Sequence, residues 1–594
     1  MCTLVELAVL EATACPLIGL NSSGANREGG VRHGDCDGGE NPLSGIDDFL
    51  YAASHFSMLM DGQFMYSKTL WCAVCIWVIV AGCRTITPAG RAKVINEPPE
   101  TSKNDSSAVP AVGIWRAPGL ESKLLQASMT SDDSGVDLIP TATRESRAPW
   151  GRPDLGSIYS RTSKSDEYQR NPIIVIPGIL GSKLVDESGR RVVWGEFGGN
   201  GIDPSTVEGA RLLALPMGEG EALKDLTDTI EVSGPLDTLN VRVFGVLFQM
   251  AAYRDIVTAL GIGGYRDSPD ELDPQDVRCF QFAYDWRRDN VETAAQLHQF
   301  ILEKKALVEA ERQARFGDDA EPVRFDIVAH SMGGVMARYY LQYGDAPLPE
   351  DGSLPEINWK GAQYVDRLVM VAPPNAGSLQ AVEYLTQGVQ FSRFFSKYEP
   401  ALLGTMPSVY QLLPRTRHRP VVSGSRRETV DLYDPQVWVH ARWGFFNPTQ
   451  SEQLRYLLPN EPDPLRRLEV AYGHLAKCLR RAERFHAAID VKVDPPEGTT
   501  IHLIASDAHP TVFQYAIDNR GALSPTARVA GDGLVTRHSA LMDERLSDNG
   551  KWAPRLKSPI KWDSVTFLFT DHLGLTKDPA FTDNVLYLLI ESPR

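Results

Sequence analysis

The chain has 594 residues, 43% of them hydrophobic, which is enough to bury a large core and more than one catalytic domain needs. Acidic residues outnumber basic ones by 76 to 60, and the net charge of −16 argues against nucleic acid and against electrostatic docking on anionic lipid, so any lipid contact has to be apolar. Six of the eight cysteines lie at or before Cys83, leaving Cys279 and Cys478 beyond it with no disulfide framework and no zinc spacing, so no metal or other cofactor is expected.

Residues 1–64 are glycine-rich, carry three cysteines and show no sustained period; they read as unstructured or as a stretch upstream of the true start. From Thr69 to Gly82 the chain is almost wholly apolar, too short to span a bilayer at about 20 residues but suited to the core of a secretion signal. It ends in Val80-Ala81-Gly82-Cys83, which matches a bacterial lipobox, with Lys68 as the positive start and Met65 just before it. Residues 65–83 therefore read as a lipoprotein signal with lipidation at Cys83, against a chance apolar run, a packed helix or an uncleaved anchor. The implied location is the cell envelope, bound to a membrane surface through this anchor, or else secretion. Residues 84–169, rich in Ser, Thr, Pro, Arg and Asp, read as a flexible tether or as an extension wrapped on the catalytic surface.

The catalytic part is read as residues 170–594. Ile173 to Ile176 is a run of four β-branched residues, a strand buried on both faces, followed by Pro177-Gly178-Ile179-Leu180-Gly181-Ser182. A variable insertion runs to about residue 240, then come a helix near 244–260, a strand at 278–284 and a helix at 291–312. Arg324 to Ala329 reads as a strand and Gly334 to Tyr343 as a helix, with Ser331 in the turn between them. The strand Val365 to Ala372 follows. Alternation then stops until Ile501, so residues 376–497 are assigned to a cap inserted between core strands. Within it Phe391, Phe394, Phe395 and Tyr398, then Trp438, Trp443, Phe445 and Phe446, could line an acyl-chain channel or could simply be core. Asp463 to Ile489 reads as a long helix whose basic face, through Arg466, Arg467, Lys477, Arg480, Arg481 and Arg484, is a solvated surface. Strands Ile501 to Ala505 and Val565 to Phe569 and a helix over Pro579 to Ile590 complete the chain. Strands alternating with helices argue for an α/β fold, a mostly parallel sheet with helices on both faces and an inserted cap.

Val328-Ala329-His330-Ser331-Met332-Gly333-Gly334 has the form of a nucleophile elbow, in which the positions two before and two after the serine must be small; Ala329 and Gly333 are. A serine hydroxyl needs a base, and in this fold the acid and then the histidine follow on loops after late strands. His572 occupies such a loop, ahead of His538 and His509. Two aspartates compete for the acid. Asp507 directly follows the strand from Ile501, while Asp532 sits in Gly531-Asp532-Gly533-Leu534-Val535, where flanking glycines allow a tight turn, and is favoured. Asp571, adjacent to His572, is an unlikely orienter because neighbouring side chains rarely face one another. The oxyanion donors are read as the amides of Ile179 and Met332.

Pro177 to Ser182, Tyr284-Asp285-Trp286-Arg287, Ala329 to Gly334, Gly531-Asp532-Gly533 and His572 together resemble the lecithin:cholesterol acyltransferase family, which includes lysosomal phospholipase A2 and phospholipid:diacylglycerol acyltransferases. The resemblance covers roughly residues 170 to 594, and the tetrad Tyr284 to Arg287 is its most specific element. It implies an α/β-hydrolase core, an acyl-enzyme on Ser331, Asp532 rather than Asp507 as the acid, and Ile179 as an oxyanion donor. It further implies a lipid acyl donor such as a phospholipid, with water or a lipid alcohol as acceptor. For the tetrad itself a structural role is read, a loop fixed by ion pairs. The disulfide-bounded lid of animal members has no match, because Cys279 is the only cysteine between the upstream strand and Tyr284, and no sterol pocket is identified. A carboxylesterase of soluble esters and a non-catalytic envelope binding protein are the alternatives.

Overall fold

The computed structural model describes residues 155–592 apart from 166–168, 198–200, 237, 244–245, 252, 268–275, 391–394 and 547–552. The expected signal with Cys83, most of the expected tether, and Phe391 and Phe394 lie outside the described residues.

Seven strands form the central sheet: β1 (Ile173–Ile176), β2 (Tyr265–Arg266), β3 (Val277–Gln281), β4 (Phe325–His330), β5 (Val365–Val371), β6 (Thr500–Ser506) and, after the hairpin β7 (His509–Ile517) and β8 (Leu523–Gly531), the edge strand β9 (Ser564–Leu568). Their order is β9-β6-β5-β4-β1-β3-β2 and every pairing is parallel. The chain starts in the middle at β1, runs out to the edge at β2, steps back to β3 beside β1, and continues on the other side of β1 at β4. The reversal leaves the crevice beside β1 and β4 open at their carboxyl ends, where ligands bind in open α/β sheets.

Both central strands are buried along their whole length, β1 as an unbroken apolar run and β4 with Asp326 and His330 as its two buried polar residues. Alternate side chains serve opposite faces. Ile174, Ile176, Ile327 and Met370 pack with Leu297 and Ile301 of α2 (Asn290–Phe316) and Val335 and Met336 of α3 (Met332–Tyr343). Ile173, Val175, Val328 and Val369 pack with Ile256 and Leu260 of α1 (Arg254–Ile262) and Phe581 and Val585 of a C-terminal helix (Pro579–Leu586). The helix expected near 244 begins only at Arg254, because Val246–Ala251 pairs antiparallel with Thr238–Val243. A short apolar run has no period of its own, and strand pairing decides it.

The cap lies between β5 and β6 and begins with α4 (Leu379–Gln387). Its longest element is α5 (Pro464–Ile489), started by Pro464 in its first turn and by the Asp463 carboxylate accepting from the Leu465 amide. Ala471, Leu475, Cys478, Leu479, Ala482 and Phe485 give it one continuous buried face. Trp438, Trp443, Phe445 and Tyr398 are buried, and the Trp438 and Trp443 rings meet edge to face at 5.6 Å, so these aromatics are cap core. Hairpin β7–β8 was not foreseen; it joins Val421–Ser423 and Glu428–Thr429 of the cap in a four-stranded sheet.

Candidate active site

Ser331 sits where β4 becomes α3, with φ 53° and ψ −124°, a conformation an L residue holds only when its surroundings fix it. The surroundings do. A Cβ on Gly333 would lie 2.4 Å from the Pro177 carbonyl oxygen, and one on Gly178 would lie 2.8 Å from Cβ of Ser331. Both glycines are therefore required by close approach, and they press the loop after β1 directly against the elbow.

His572 and Asp532 converge on this serine. His572 Nε2 is 3.2 Å from Ser331 Oγ and its Nδ1 is 2.7 Å from Asp532 Oδ2. Asp532 closes its own turn: Oδ1 accepts from the amides of Leu534 at 2.9 Å and Val535 at 2.6 Å, which leaves Oδ2 free for the imidazole. The His572 amide donates back to the Asp532 carbonyl at 3.0 Å. Burial pushes the Asp532 carboxyl up, but the charge and hydrogen bond of His572 and the two amides outweigh it and hold the group below its ordinary value. All three residues are buried.

The other candidates lie elsewhere. Asp507 is half-exposed and faces Arg537, with Oδ2 3.5 Å from Nε. Asp571 accepts the Gly574 amide at 2.7 Å. His509 is exposed on β7, and His538 is half-buried against His418, their ring centroids 4.5 Å apart.

The Met332 amide opens α3 and has no carbonyl four residues back, and the Ile179 amide donates to no acceptor among the described residues. Both stay available beside Ser331. The tetrad fixes the loop that carries Ile179: Tyr284 Oη donates to the Pro177 carbonyl at 2.8 Å, the Trp286 indole to the Ser182 carbonyl at 3.2 Å, and Ser182 Oγ accepts the Tyr284 amide at 3.0 Å. Arg287, fully buried, pairs with Asp285 at 2.7 Å and Asp228 at 2.5 Å. The tetrad thus acts by ion pairs, as read from sequence, and also by two aromatic donors on the loop.

Tyr253 and His330 were missed. Tyr253 Oη accepts the Gly178 amide at 2.9 Å and lies 3.3 Å from His330 Nδ1, while His330 Nε2 lies 3.4 Å from the His572 carbonyl. Burial, then the neighbouring His572, pushes the His330 imidazole down to about 3, so it is neutral with one N–H. A carbonyl can only accept, which puts that proton on Nε2 and makes Nδ1 the acceptor of the Tyr253 hydroxyl. One directed chain then links the loop after β1 to the backbone of His572. His330 could have been noticed beside Ser331; nothing in the sequence around Tyr253 marks it.

Among the described residues no cluster of His, Cys, Asp and Glu could hold a metal ion, and no helix is long and apolar enough to cross a membrane.

Residues 248–449 match the family model described as Lecithin:cholesterol acyltransferase. The matched span holds Tyr253, the tetrad and Ser331, while Ile179, Asp532 and His572 lie outside it. No curated protein gives a significant match to the chain. Among solved structures it is similar to the Tle4-Tli4 complex at 15% identity, over 71% of this chain and 98% of that one, with a TM-score of 0.44. It is also similar to the mature lipase BlEst2 of Bacillus licheniformis at 12% identity, over 71% and 92%, with a TM-score of 0.23. A third is phospholipase PlaB of Legionella pneumophila at 11% identity, over 42% and 37%, with a TM-score of 0.18. The α/β-hydrolase architecture of the chain stands on its own strand order and elbow.

Proposed function

We propose that the protein is a serine-dependent phospholipase A or O-acyltransferase acting on lipid esters. The observation that carries this is the hydrogen-bonded line Asp532–His572–Ser331 beside two unoccupied amides. His572, oriented by Asp532, takes the Ser331 proton as Oγ attacks the ester carbonyl. The amides of Ile179 and Met332 hold the developing oxyanion. His572 then returns the proton to the leaving alcohol, and an acyl-enzyme remains on Ser331. Water completes hydrolysis, or a lipid alcohol completes transfer, according to how well the cap excludes water.

A lipid donor is favoured by the rim of the site. Phe569 is 85% exposed and Leu573 62%, on either side of His572 in sequence, and Leu534 follows Asp532 at 37%. Large apolar side chains left in water around a site suit an apolar substrate surface. Lipidation at Cys83, with an envelope location, belongs to the same proposal and would hold the enzyme at its substrate.

The test incubates the full chain and its Ser331→Ala variant with phosphatidylcholine vesicles containing a long-chain alcohol. New ester that depends on Ser331 identifies an acyltransferase, and free fatty acid alone a phospholipase. Turnover confined to short water-soluble esters contradicts the lipid assignment.

A further inference from the structure

The later part of the basic face of α5 lines a cleft, while Arg466 nearer its start stays exposed to solvent. Lys477, Arg480, Arg481 and Arg484, with Lys224 from the insertion after β1, border a space of about 460 Å3 that also touches Leu223 and Leu348. That size falls within the range of small-molecule sites, roughly 300–1,000 Å3. Five cations face two carboxylates, Asp289 and Glu350, an excess of three positive charges in a chain whose net charge is −16.

The pairing of these cations is uneven. Arg481 pairs with Asp289, and the Lys224 ammonium lies 3.8 Å from Glu350. Lys477 donates to the carbonyls of Gly218 at 3.0 Å and Glu221 at 2.7 Å, which orient its ammonium without neutralising it. Arg484 is the decisive residue: its Nε and one terminal nitrogen are buried and have no hydrogen-bond partner. Asp351, held below its usual range first by Ser353, feels the Arg484 charge without bonding to it. A buried guanidinium N–H without an acceptor is costly, and its planar fork matches the oxygens of a phosphate.

We infer that this cleft binds a phosphate-bearing organic anion. Arg484, Arg480 and Lys477 hold the phosphate, whose double charge answers the excess of cations, and Leu223 and Leu348 receive the organic part. The source is either a soluble phosphate monoester or a lipid headgroup, which share this chemistry. None of these residues belongs to the Ser331 site, so the inference stands or falls apart from the acyl-transfer reading.

Calorimetric titration of the full chain with glycerol 3-phosphate, and co-sedimentation with phosphatidylcholine vesicles with and without phosphatidic acid, test it on wild type, Arg484→Ala, Arg480→Ala and Ser331→Ala. Saturable binding of glycerol 3-phosphate is expected, weakened about tenfold or more by Arg484→Ala and unchanged by Ser331→Ala. Arg480 is exposed, so Arg480→Ala keeps the fold and still weakens binding, which preserves the test if Arg484→Ala unfolds. Binding restricted to vesicles containing phosphatidic acid, and lost in the same variants, assigns the ligand to a lipid headgroup. Absence of saturable binding in both arms, or binding that both arginine variants leave untouched, overturns the inference.

Discussion

At the carboxyl end of the central sheet, Ser331, His572 and Asp532 arrive from three separate loops and meet through polar contacts of 3.2 and 2.7 Å; in the cap, the buried positions are filled by Trp438, Trp443, Phe445 and Phe485. The first region is made of groups that each need one specified partner, the second of groups that need only to be enclosed. The two should therefore fail differently, the sheet end losing chemistry with little loss of fold and the cap losing fold first.

The largest effect expected at the sheet end after loss of the serine is Asp532→Asn, which removes the carboxylate that sets the His572 tautomer and should lower kcat by about 10⁴-fold. Asp507→Asn, which touches only an exposed ion pair with Arg537, should change kcat by about twofold at most. Steady-state kinetics on both variants checks the pair, and equal losses would dissolve the distinction between the two aspartates. In the cap, Trp438→Ala empties a fully buried site and removes the hydrogen bond to the Leu432 carbonyl at 2.9 Å. Denaturant unfolding should show a loss of about 3–5 kcal/mol, with kcat per folded molecule nearly intact.

Tyr253→Phe is smaller and sharper, because it cuts the chain from Gly178 to His330 without emptying space. The expected result is a kcat about tenfold lower at unchanged KM and melting temperature, since the hydroxyl positions groups that act mainly on the transition state. Glu292, in the first turn of α2, gives the smallest effect. Burial, and then Asp289, raise its carboxyl to about 8. The folded state holds that proton where the unfolded chain, with an ordinary value of 4.5, has lost it. Stability from this group is full below the unfolded value and is lost as pH rises through about 8. Melting temperatures of Glu292→Gln should consequently fall less than those of wild type over that rise.

The difference between the regions also explains what could be read from sequence. The elbow was legible because Ser331 sits at a change of period flanked by Ala329 and Gly333, and His572 because it follows the last strand. Asp532 was legible through its glycines, and the turn closed by its own carboxylate shows why that spacing is needed. Hairpin β7–β8 was not, because its strands are half exposed and β7 completes its pairing with Val421–Ser423, nearly a hundred residues earlier. The basic face of α5 was read as solvated because helical periodicity says which residues share a face and not what lies opposite; Lys224 and Leu348 come from distant segments. Tyr253 belongs to the same class, a residue whose role exists only once α1 is placed against β1 and β4.

The central claim is that Ser331 is a nucleophile activated by His572. Full-length wild type and His572→Ala would be treated with a long-chain fluorophosphonate and the modified peptide located by mass spectrometry. One adduct on Ser331 in wild type, formed far more slowly in His572→Ala, is the predicted result; an adduct on another residue, or equal labelling of both proteins, would contradict the account.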